Sequence, residues 1–154
     1  MFEIESKDPD EITILTKTRT IKFNVAREEI DASLEVGKIV GPGEFEIGEA
    51  AIRGIAVKTG GEQKTIYDVA IGNVRVGIIG GIEEAISLDE LGVADILCTS
   101  SVRAVREIEP KLVVAMGNVD GMVTELKLSA RTEKKLKVKS KDALPAALEV
   151  VTLV

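Results

Sequence analysis

The sequence predicts one β-rich α/β domain, built from stacked sheets with helices outside them. The chain has 154 residues, of which 45% are hydrophobic and 30% charged, the balance of a globular domain with a single core. Only 3% of the residues are aromatic, so Val, Ile, Leu and Ala must fill that core, as they do in sheets rich in β-branched residues. Strands fill the first half, and strand–helix–strand follows, an order that favours a layered α/β sandwich.

Apolar runs separated by glycine and polar breaks predict the strands of the first half. The strongest signal is a hairpin, in which two apolar runs flank the Gly72-Asn73 turn. The Gly41–Gly43 segment predicts another turn, because glycine accepts positive φ and proline fixes its own. A hairpin or a bulge is expected at residues 48–50, and residues 26–35 fit a short helix or an irregular crossing. The predicted strands are 11–16, 21–25, 36–40, 45–47, 52–57, 65–71 and 74–79.

Two short helices are predicted in the second half. Ser87 and Glu90 have the spacing of a capping box, and Gly92 follows as a stop signal. Ser101 is placed to cap a second helix with Val, Val and Ile at every third position, which Pro110 ends.

The second helix joins two apolar strands, 94–98 and 112–116. The connection is long enough for a right-handed crossover between parallel strands. Residues 122–131 fit either strand or helix. Strands 136–138 and 148–153 are expected on either side of a turn at residues 141–145.

Charge and hydropathy limit the possible partners. With 26 acidic and 20 basic side chains the net charge is −6, which argues against binding nucleic acid through counterion release. A basic strip at residues 131–141 is interpreted as a solvated strand edge guarded by lysines. No apolar run approaches the roughly 20 residues that a membrane-spanning helix needs, and no signal peptide precedes the fold. We therefore expect a cytoplasmic protein that binds neither nucleic acid nor a membrane.

The sequence contains no histidine and one cysteine, Cys98. Imidazole is the usual general base at neutral pH and the commonest zinc ligand, so this chain alone does not supply an ordinary zinc site. Ser-His-Asp and Cys-His nucleophile systems are excluded for the same reason. Cys98 lies in an apolar run and is predicted to be a buried structural thiol rather than a reactive one.

In order and spacing, a series of short motifs resembles the metallo-β-lactamase superfamily, in its small cytoplasmic branch of zinc-dependent hydrolases. Members carry a turn with the sequence Gly-Pro-Gly-Glu-Tyr-Glu-Ile, and residues 41–47 of this chain are Gly-Pro-Gly-Glu-Phe-Glu-Ile. Together the motifs cover most of residues 10–154. The other motifs are Ile52–Ile55, Thr65–Tyr67, Val74–Gly80, Leu88–Gly92, Val93–Leu97, Glu109–Val114, Lys135–Val138, Leu144-Pro145 and Glu149–Val151.

The resemblance implies an αββα sandwich that occupies residues 1–154 as a single domain. It also implies that the family's N-terminal strands are missing, with Asp8-Pro9 as the one candidate remnant of an early aspartate-proline pair.

The resemblance further implies that the family's metal ligands are absent. The bridging aspartate corresponds to Gly81, and a later histidine corresponds to Gly117 or Asn118. By position, the His-x-His-x-Asp-His motif corresponds to a segment in which positively charged side chains replace histidines. Those side chains would repel a zinc ion. That segment is Lys17, Thr18, Arg19, Thr20, Ile21 and Lys22.

Two groups of acidic residues are candidate cation sites, and for each we favour a structural interpretation. The first follows the glycine turn and would suit a hard metal ion, but solvated acids of a structural turn are the favoured explanation. The second flanks the implied metal pocket and is interpreted as a charge cluster at the start of a helix. The two groups are Glu44, Glu46 and Glu49, and Glu83, Glu84, Asp89 and Glu90.

Residues 99–101, Thr-Ser-Ser, stand between a strand and a helix. Backbone amides there can hold an anion, but helix capping is the favoured interpretation. The pairs Gly80-Gly81 and Gly117-Asn118 are expected at strand ends around a shallow, metal-free cleft.

The sequence therefore predicts no catalytic, cofactor-binding or metal-binding residue. The favoured hypothesis is a non-catalytic metallo-β-lactamase-like protein. Loss of N-terminal strands would leave a sheet edge and an apolar face open, which predicts a homo-oligomer or a protein partner that covers the edge. The alternative is a hydrolase that a partner chain completes with histidines, or that holds Mg²⁺ or Mn²⁺ through carboxylates. A third hypothesis is a ligand-binding module that uses the cleft.

Overall fold

The computed structural model describes residues 1–81 and 87–154, and their strands form two sheets that pack face to face. The first sheet has six strands in the order β13-β1-β2-β3-β4-β5, and each neighbouring pair is antiparallel. These strands are β1 (Phe2–Asp8), β2 (Glu11–Leu15), β3 (Thr20–Asn24), β4 (Glu29–Asp31), β5 (Ile39–Val40) and β13 (Leu136–Val138).

The second sheet has eight strands in the order β12-β14-β11-β10-β9-β8-β7-β6. The strands from β12 to β9 run parallel, and those from β9 to β6 alternate in direction. They are β6 (Gly43–Ile47), β7 (Ala50–Thr59), β8 (Glu62–Ile71), β9 (Val74–Ile79), β10 (Ile96–Thr99), β11 (Leu112–Ala115), β12 (Ala130–Glu133) and β14 (Glu149–Leu153).

The chain passes from the first sheet to the second through Gly41-Pro42, between β5 and β6. This crossing packs on Gly54 of β7, where an added Cβ would lie 3.1 Å from the Gly41 carbonyl oxygen and 3.2 Å from the Pro42 Cα. Since these neighbours are backbone atoms, a side chain at this position would push the crossing away from β7. The close contact between the glycine turn and β7 therefore depends on glycine at position 54.

Two apolar layers hold the fold together. The inner layer lies between the sheets, where Phe23 of β3 and Tyr67 of β8 pack with ring centroids 5.3 Å apart. The outer layer lies between the second sheet and two helices, α1 (Val102–Ile108) and α2 (Val119–Leu126). Burial of this apolar surface is the main stabilising term.

Most of the predicted strands are confirmed, as is the β-rich α/β class. The hairpin at Gly72-Asn73 and the hairpin alternative at residues 48–50 are both present. The helix between β10 and β11 connects parallel strands as predicted. The ambiguous stretch 122–131 divides into the end of α2 and the strand β12.

Strand β1, which pairs with both β2 and β13, was not predicted. Residues 26–35 contain turns and the short strand β4, so of the two alternatives for this segment the helix is not formed. Two expectations about local structure are wrong. The predicted strand 36–40 is reduced to Ile39–Val40. The capping-box helix after Ser87 is a single turn, in which Gly92 N–H donates to the Leu88 carbonyl at 3.1 Å.

The outer surface of the first sheet is polar. Its side chains include Glu3 and Glu5 of β1 and Lys22 of β3, with Thr13 between them. In the part of the chain that the structure describes, both helices lie on the second sheet, so the second helical layer of an αββα sandwich is not seen. The expected open apolar face is not found on this surface. None of the described helices is long and apolar enough to cross a membrane.

Candidate functional site

Two strand ends of the second sheet and the turn between β1 and β2 meet at one end of the sandwich. Gly80 follows β9, and its missing Cβ would lie 3.2 Å from the Val25 Cβ, just beyond β3. Gly117 follows β11, with its missing Cβ position 3.4 Å from the Pro9 Cβ. The structure therefore brings Gly80-Gly81 and Gly117-Asn118 to the same end, as predicted.

A cavity of about 480 Å³ opens beside Gly80 and Gly81, and we call it the strand-end cleft. Its charged side chains are Asp10, Glu62 and Lys64, and Lys64 Nζ lies 3.8 Å from Glu62 Oε2. All the residues that line it are Asp10, Val25, Ala26, Thr59, Gly60, Glu62, Lys64, Thr65, Gly80 and Gly81.

The residues of the strand-end cleft do not fit a zinc ion. Zinc in proteins takes imidazole, thiolate and carboxylate ligands, usually four around a tetrahedron. The chain has no imidazole, and the cleft offers two carboxylates, one of them beside a lysine ammonium. Throughout the described residues, no three His, Cys, Asp or Glu side chains are grouped so that they would hold a metal ion.

Two strand-end glycines stand where a side chain would be unfavourable. At Gly81 an added Cβ would lie 2.9 Å from Ser100 Oγ, closer than such contacts normally occur, so a side chain there would require Ser100 to move. Gly117 has a φ of 70°, a backbone conformation that is strained for residues with a side chain.

Residues 17–22, which the resemblance assigns to the histidine motif, do not lie at the strand-end cleft. This segment forms the turn between β2 and β3, where Thr18 Oγ1 donates to Glu49 Oε1 at 3.1 Å. Because β2 runs away from the strand-end cleft, the turn lies at the opposite end of the sandwich, beside Gly48. The chain returns to the cleft only after β3, at Val25 and Ala26. Residues 17–22 therefore lie apart from Gly81 and Gly117, the other positions that the resemblance assigns to metal ligands.

The three acids after the glycine turn are not brought together. Glu44 and Glu46 lie on β6 and face the outer side of the second sheet, whereas Glu49 lies in the following turn. The hydroxyl groups of Thr16 and Thr18 lower the pKa of Glu49, because they stabilise its carboxylate. The cation site considered for these residues is therefore not formed.

The outer side of β7, β8 and β9 carries a charge cluster that sequence reasoning missed. Asp68 is 5% exposed, and its Oδ2 accepts from Arg53 Nη2 and from Arg75 Nη2, each at 2.6 Å. The same arginines donate to the carbonyls of Glu90 and Leu91, at 3.0 and 3.2 Å. The cluster thus ties the turn after Ser87 to the sheet. Arg53 on β7 and Asp68 on β8 are direct cross-strand partners. Aligning the sequences of these two strands in the correct register would therefore have predicted the ion pair.

This cluster forms one wall of a second cavity, of about 450 Å³, whose other wall carries Glu44 and Glu46. Opposite charges therefore line its two sides, with Ala51 and Ala70 between them. The guanidinium groups face Asp68 rather than free space, so the cavity is a shallow, nearly charge-balanced depression.

The other polar candidates have structural roles where the structure describes them. Ser101 Oγ accepts from the Ala104 N–H at 3.2 Å and so caps α1, and Thr99 Oγ1 accepts from the Ser101 N–H at 3.0 Å. The capping interpretation is confirmed. Asp89 and Glu90 are exposed in the turn after Ser87. Glu83 and Glu84 lie outside the described residues.

Cys98 is confirmed as a buried thiol. It lies on β10 with 0% exposure, packed within the inner apolar layer. Burial raises the pKa of its thiol because the thiolate would lose its hydration. The group therefore stays protonated and inert toward oxidants and electrophiles.

Comparison with known proteins gives information about the fold alone. No protein-family profile matches the sequence, and no curated protein is similar to it. The structure is similar to a crystal structure of a protein from Thermotoga maritima, described as a candidate Zn-dependent hydrolase of the metallo-β-lactamase superfamily. The TM-score is 0.70 and the identity 15%, and the match covers 100% of each chain. Because the alignment spans the whole of both chains, it gives no support to the expected loss of N-terminal strands. The chain has the fold of the metallo-β-lactamase superfamily.

Proposed function

We propose that this chain is a non-catalytic protein with the metallo-β-lactamase fold, and that it acts through self-association or through a protein partner at an open sheet edge. The supporting observation is the end of the sandwich where β9 and β11 stop. Gly81, and Gly117 or Asn118, occupy the positions that the family resemblance assigns to metal ligands. Ser100 lies where a side chain at position 81 would project, and the φ of 70° at Gly117 is unfavourable for a residue with a side chain. An active site at this place would need donors that the chain does not carry there.

The strand edges provide the surfaces for association. In the described part of the chain, the first sheet ends at β5 and β13, and the second ends at β6 and β12. An edge strand presents N–H and C=O groups that a further strand can pair with. Glu44 and Glu46 lie on the edge strand β6, and Lys137 lies on the edge strand β13. Because like charges on two paired edges would repel each other, the charges of each edge influence which edges associate.

The absence of catalysis is tested by metal analysis and an activity screen on one preparation. The protein is purified without chelators and measured by inductively coupled plasma mass spectrometry, and then assayed with phosphodiester and ester substrates in the presence of Zn²⁺, Mg²⁺ or Mn²⁺. We expect substoichiometric metal and background hydrolysis. Stoichiometric bound metal together with turnover would overturn the proposal and support the alternative of a hydrolase.

Self-association is tested by size-exclusion chromatography with light scattering. A single chain has a mass of 16.5 kDa, and we expect a multiple of it at micromolar concentration. A mass of one chain across the concentration range would contradict self-association.

A further inference from the structure

The four sheet edges differ in how their charges would meet in a second copy. In an antiparallel pair of identical strands, the residues on either side of the central residue lie opposite each other. The charges of an edge therefore attract each other in such a pair only if one of these two flanking residues is acidic and the other is basic. This step rests on the proposed self-association and asks which edge carries it.

Two edges oppose such pairing because their exposed faces carry one sign of charge. On β6, Glu44 and Glu46 face the same side of the sheet, so two copies paired at Phe45 would place carboxylates opposite each other. On the edge that contains β13, Lys135, Lys137 and Lys139 alternate with the buried Leu136 and Val138. Like charges directly opposite each other destabilise strand pairs, and charged edges are a common protection against unwanted association.

The third edge, formed by β5, is too short to pair stably with a second copy. Strand β5 consists of Ile39 and Val40 and offers two residues for pairing.

The remaining edge, β12, carries one charge of each sign. Arg131 and Glu133 lie on one face with Thr132 between them, and their side chains are 47% and 48% exposed. One side of β12 pairs with β14, and its other side has no strand neighbour within the described sheet. A two-fold axis at Thr132 would place Arg131 of each copy opposite Glu133 of the other.

Intramolecular contacts hold Arg131 in place for this role. Its Nη1 lies 2.7 Å from Glu149 Oε1, and its Nε lies 3.6 Å from Glu133 Oε1. A guanidinium has five N–H donors, so the contact with Glu149 leaves donors for a second carboxylate. Thr132 would meet its own copy across the axis, and Thr–Thr pairs are favourable between antiparallel strands.

We propose that β12 pairs antiparallel with β12 of a second copy about a two-fold axis at Thr132, so that the two second sheets become one continuous sheet. The two Arg131–Glu133 pairs between copies select this register. A closed dimer follows, because pairing uses up the edge on both chains.

A charge swap tests the proposal. Arg131→Glu gives a strand with two acids, and Glu133→Arg gives a strand with two bases. Each variant alone is expected to associate at least about tenfold more weakly than the unmodified chain, because like charges then face each other at both pairs. An equimolar mixture of the two variants restores all the opposite pairs and should form a heterodimer. The double variant Arg131→Glu/Glu133→Arg, which keeps one charge of each sign, should form a homodimer again.

Association is measured by sedimentation velocity over a concentration series, and folding by circular dichroism. Arg103→Glu is the matched control, since Arg103 is an exposed arginine whose Nε lies 2.9 Å from Glu107 Oε1 on α1, and it should leave the dimer unchanged. A dimer that all variants retain would overturn the β12 interface and leave self-association standing. A monomeric unmodified chain would overturn both, and an assembly larger than a dimer would overturn the β12 interface.

Discussion

Arg75 Nη2 lies 2.6 Å from Asp68 Oδ2, across the hairpin formed by β8 and β9. Arg53 approaches the same oxygen from β7, so two guanidinium groups share one nearly buried carboxylate. Both arginines also bind backbone carbonyls of the turn that follows Ser87.

Replacement of Asp68 should therefore destabilise the fold. Asp68→Asn keeps the shape of the side chain but removes the negative charge that two arginines share. Because those arginines are more than one third exposed, water compensates part of the loss, and we expect a decrease in the free energy of unfolding of about 1–3 kcal/mol. Urea denaturation measures it.

The matched control is Glu107→Gln, which breaks the exposed pair with Arg103 on α1. Exposed pairs contribute about 0.2–1 kcal/mol, so this variant should remain close to the unmodified chain. Equal effects of the two substitutions would show that the cluster has no special role.

Gly54 should tolerate no side chain. Gly54→Ala places a Cβ against the carbonyl oxygen of Gly41 and the Cα of Pro42, and overpacking of this kind costs about 1–3 kcal/mol. Gly77→Ala is the comparison, because its nearest neighbour, 3.0 Å away, is the end of the Leu97 side chain rather than a backbone atom. Chemical denaturation should give the larger loss at Gly54, and the reverse order would contradict the rigid crossing.

The hydrogen bond that caps the N-terminus of α1 should make a smaller contribution to the stability of the fold. Ser101→Ala removes the acceptor of the Ala104 N–H and should lower the free energy of unfolding by about 0.5–2 kcal/mol. Ser140 precedes the single 3₁₀ turn Lys141–Ala143, and its side chain makes no capping hydrogen bond. Ser140→Ala should therefore change the stability much less, and a loss equal to that of Ser101→Ala would show that the cap is not the cause.

The carboxyl group of Glu49 should titrate below the usual range of glutamate. The hydroxyl groups of Thr16 and Thr18 lower its pKa in the folded chain. A group whose pKa is depressed on folding stabilises the fold above its unfolded pKa, and this contribution disappears as the pH falls through the folded pKa. Carbon-13 NMR of the side-chain carboxyl should show the depressed value, and in the double variant Thr16→Val/Thr18→Val it should return toward the ordinary one. An unchanged titration in that variant would refute the assigned cause.

Most strands were predicted correctly because the alternation of apolar and polar residues, and the residues favoured in turns, are visible within a few neighbouring positions of the sequence. The hairpin at Gly72-Asn73 and the helix after Ser101 are found where predicted. Strand β1 was missed because its polar residues, Glu3 and Glu5, face solvent while Phe2 and Ile4 face the core. Alternation was present there, but the net polarity of the segment concealed it.

The candidate site was predicted only in part, because its position depends on strand direction. The glycines at the ends of β9 and β11 were placed correctly from the strands that precede them. Residues 17–22 lie at the other end from these glycines, which the sequence did not show because motif order does not tell at which end of the sandwich a turn lies. The cluster around Asp68 depends on register between three strands, which no single stretch of sequence contains.

The pairing of Phe2 with Val138 has a consequence for the synthesis of this chain. As the polypeptide leaves the ribosome, β1 emerges first, and its neighbour β13 is translated only after all strands from β2 to β12. Contacts so distant along the chain carry a high entropic cost of loop closure and slow folding. The nascent chain must therefore carry an unfinished first sheet until residues 136–138 have left the ribosome, which is the period in which a chaperone has most to protect.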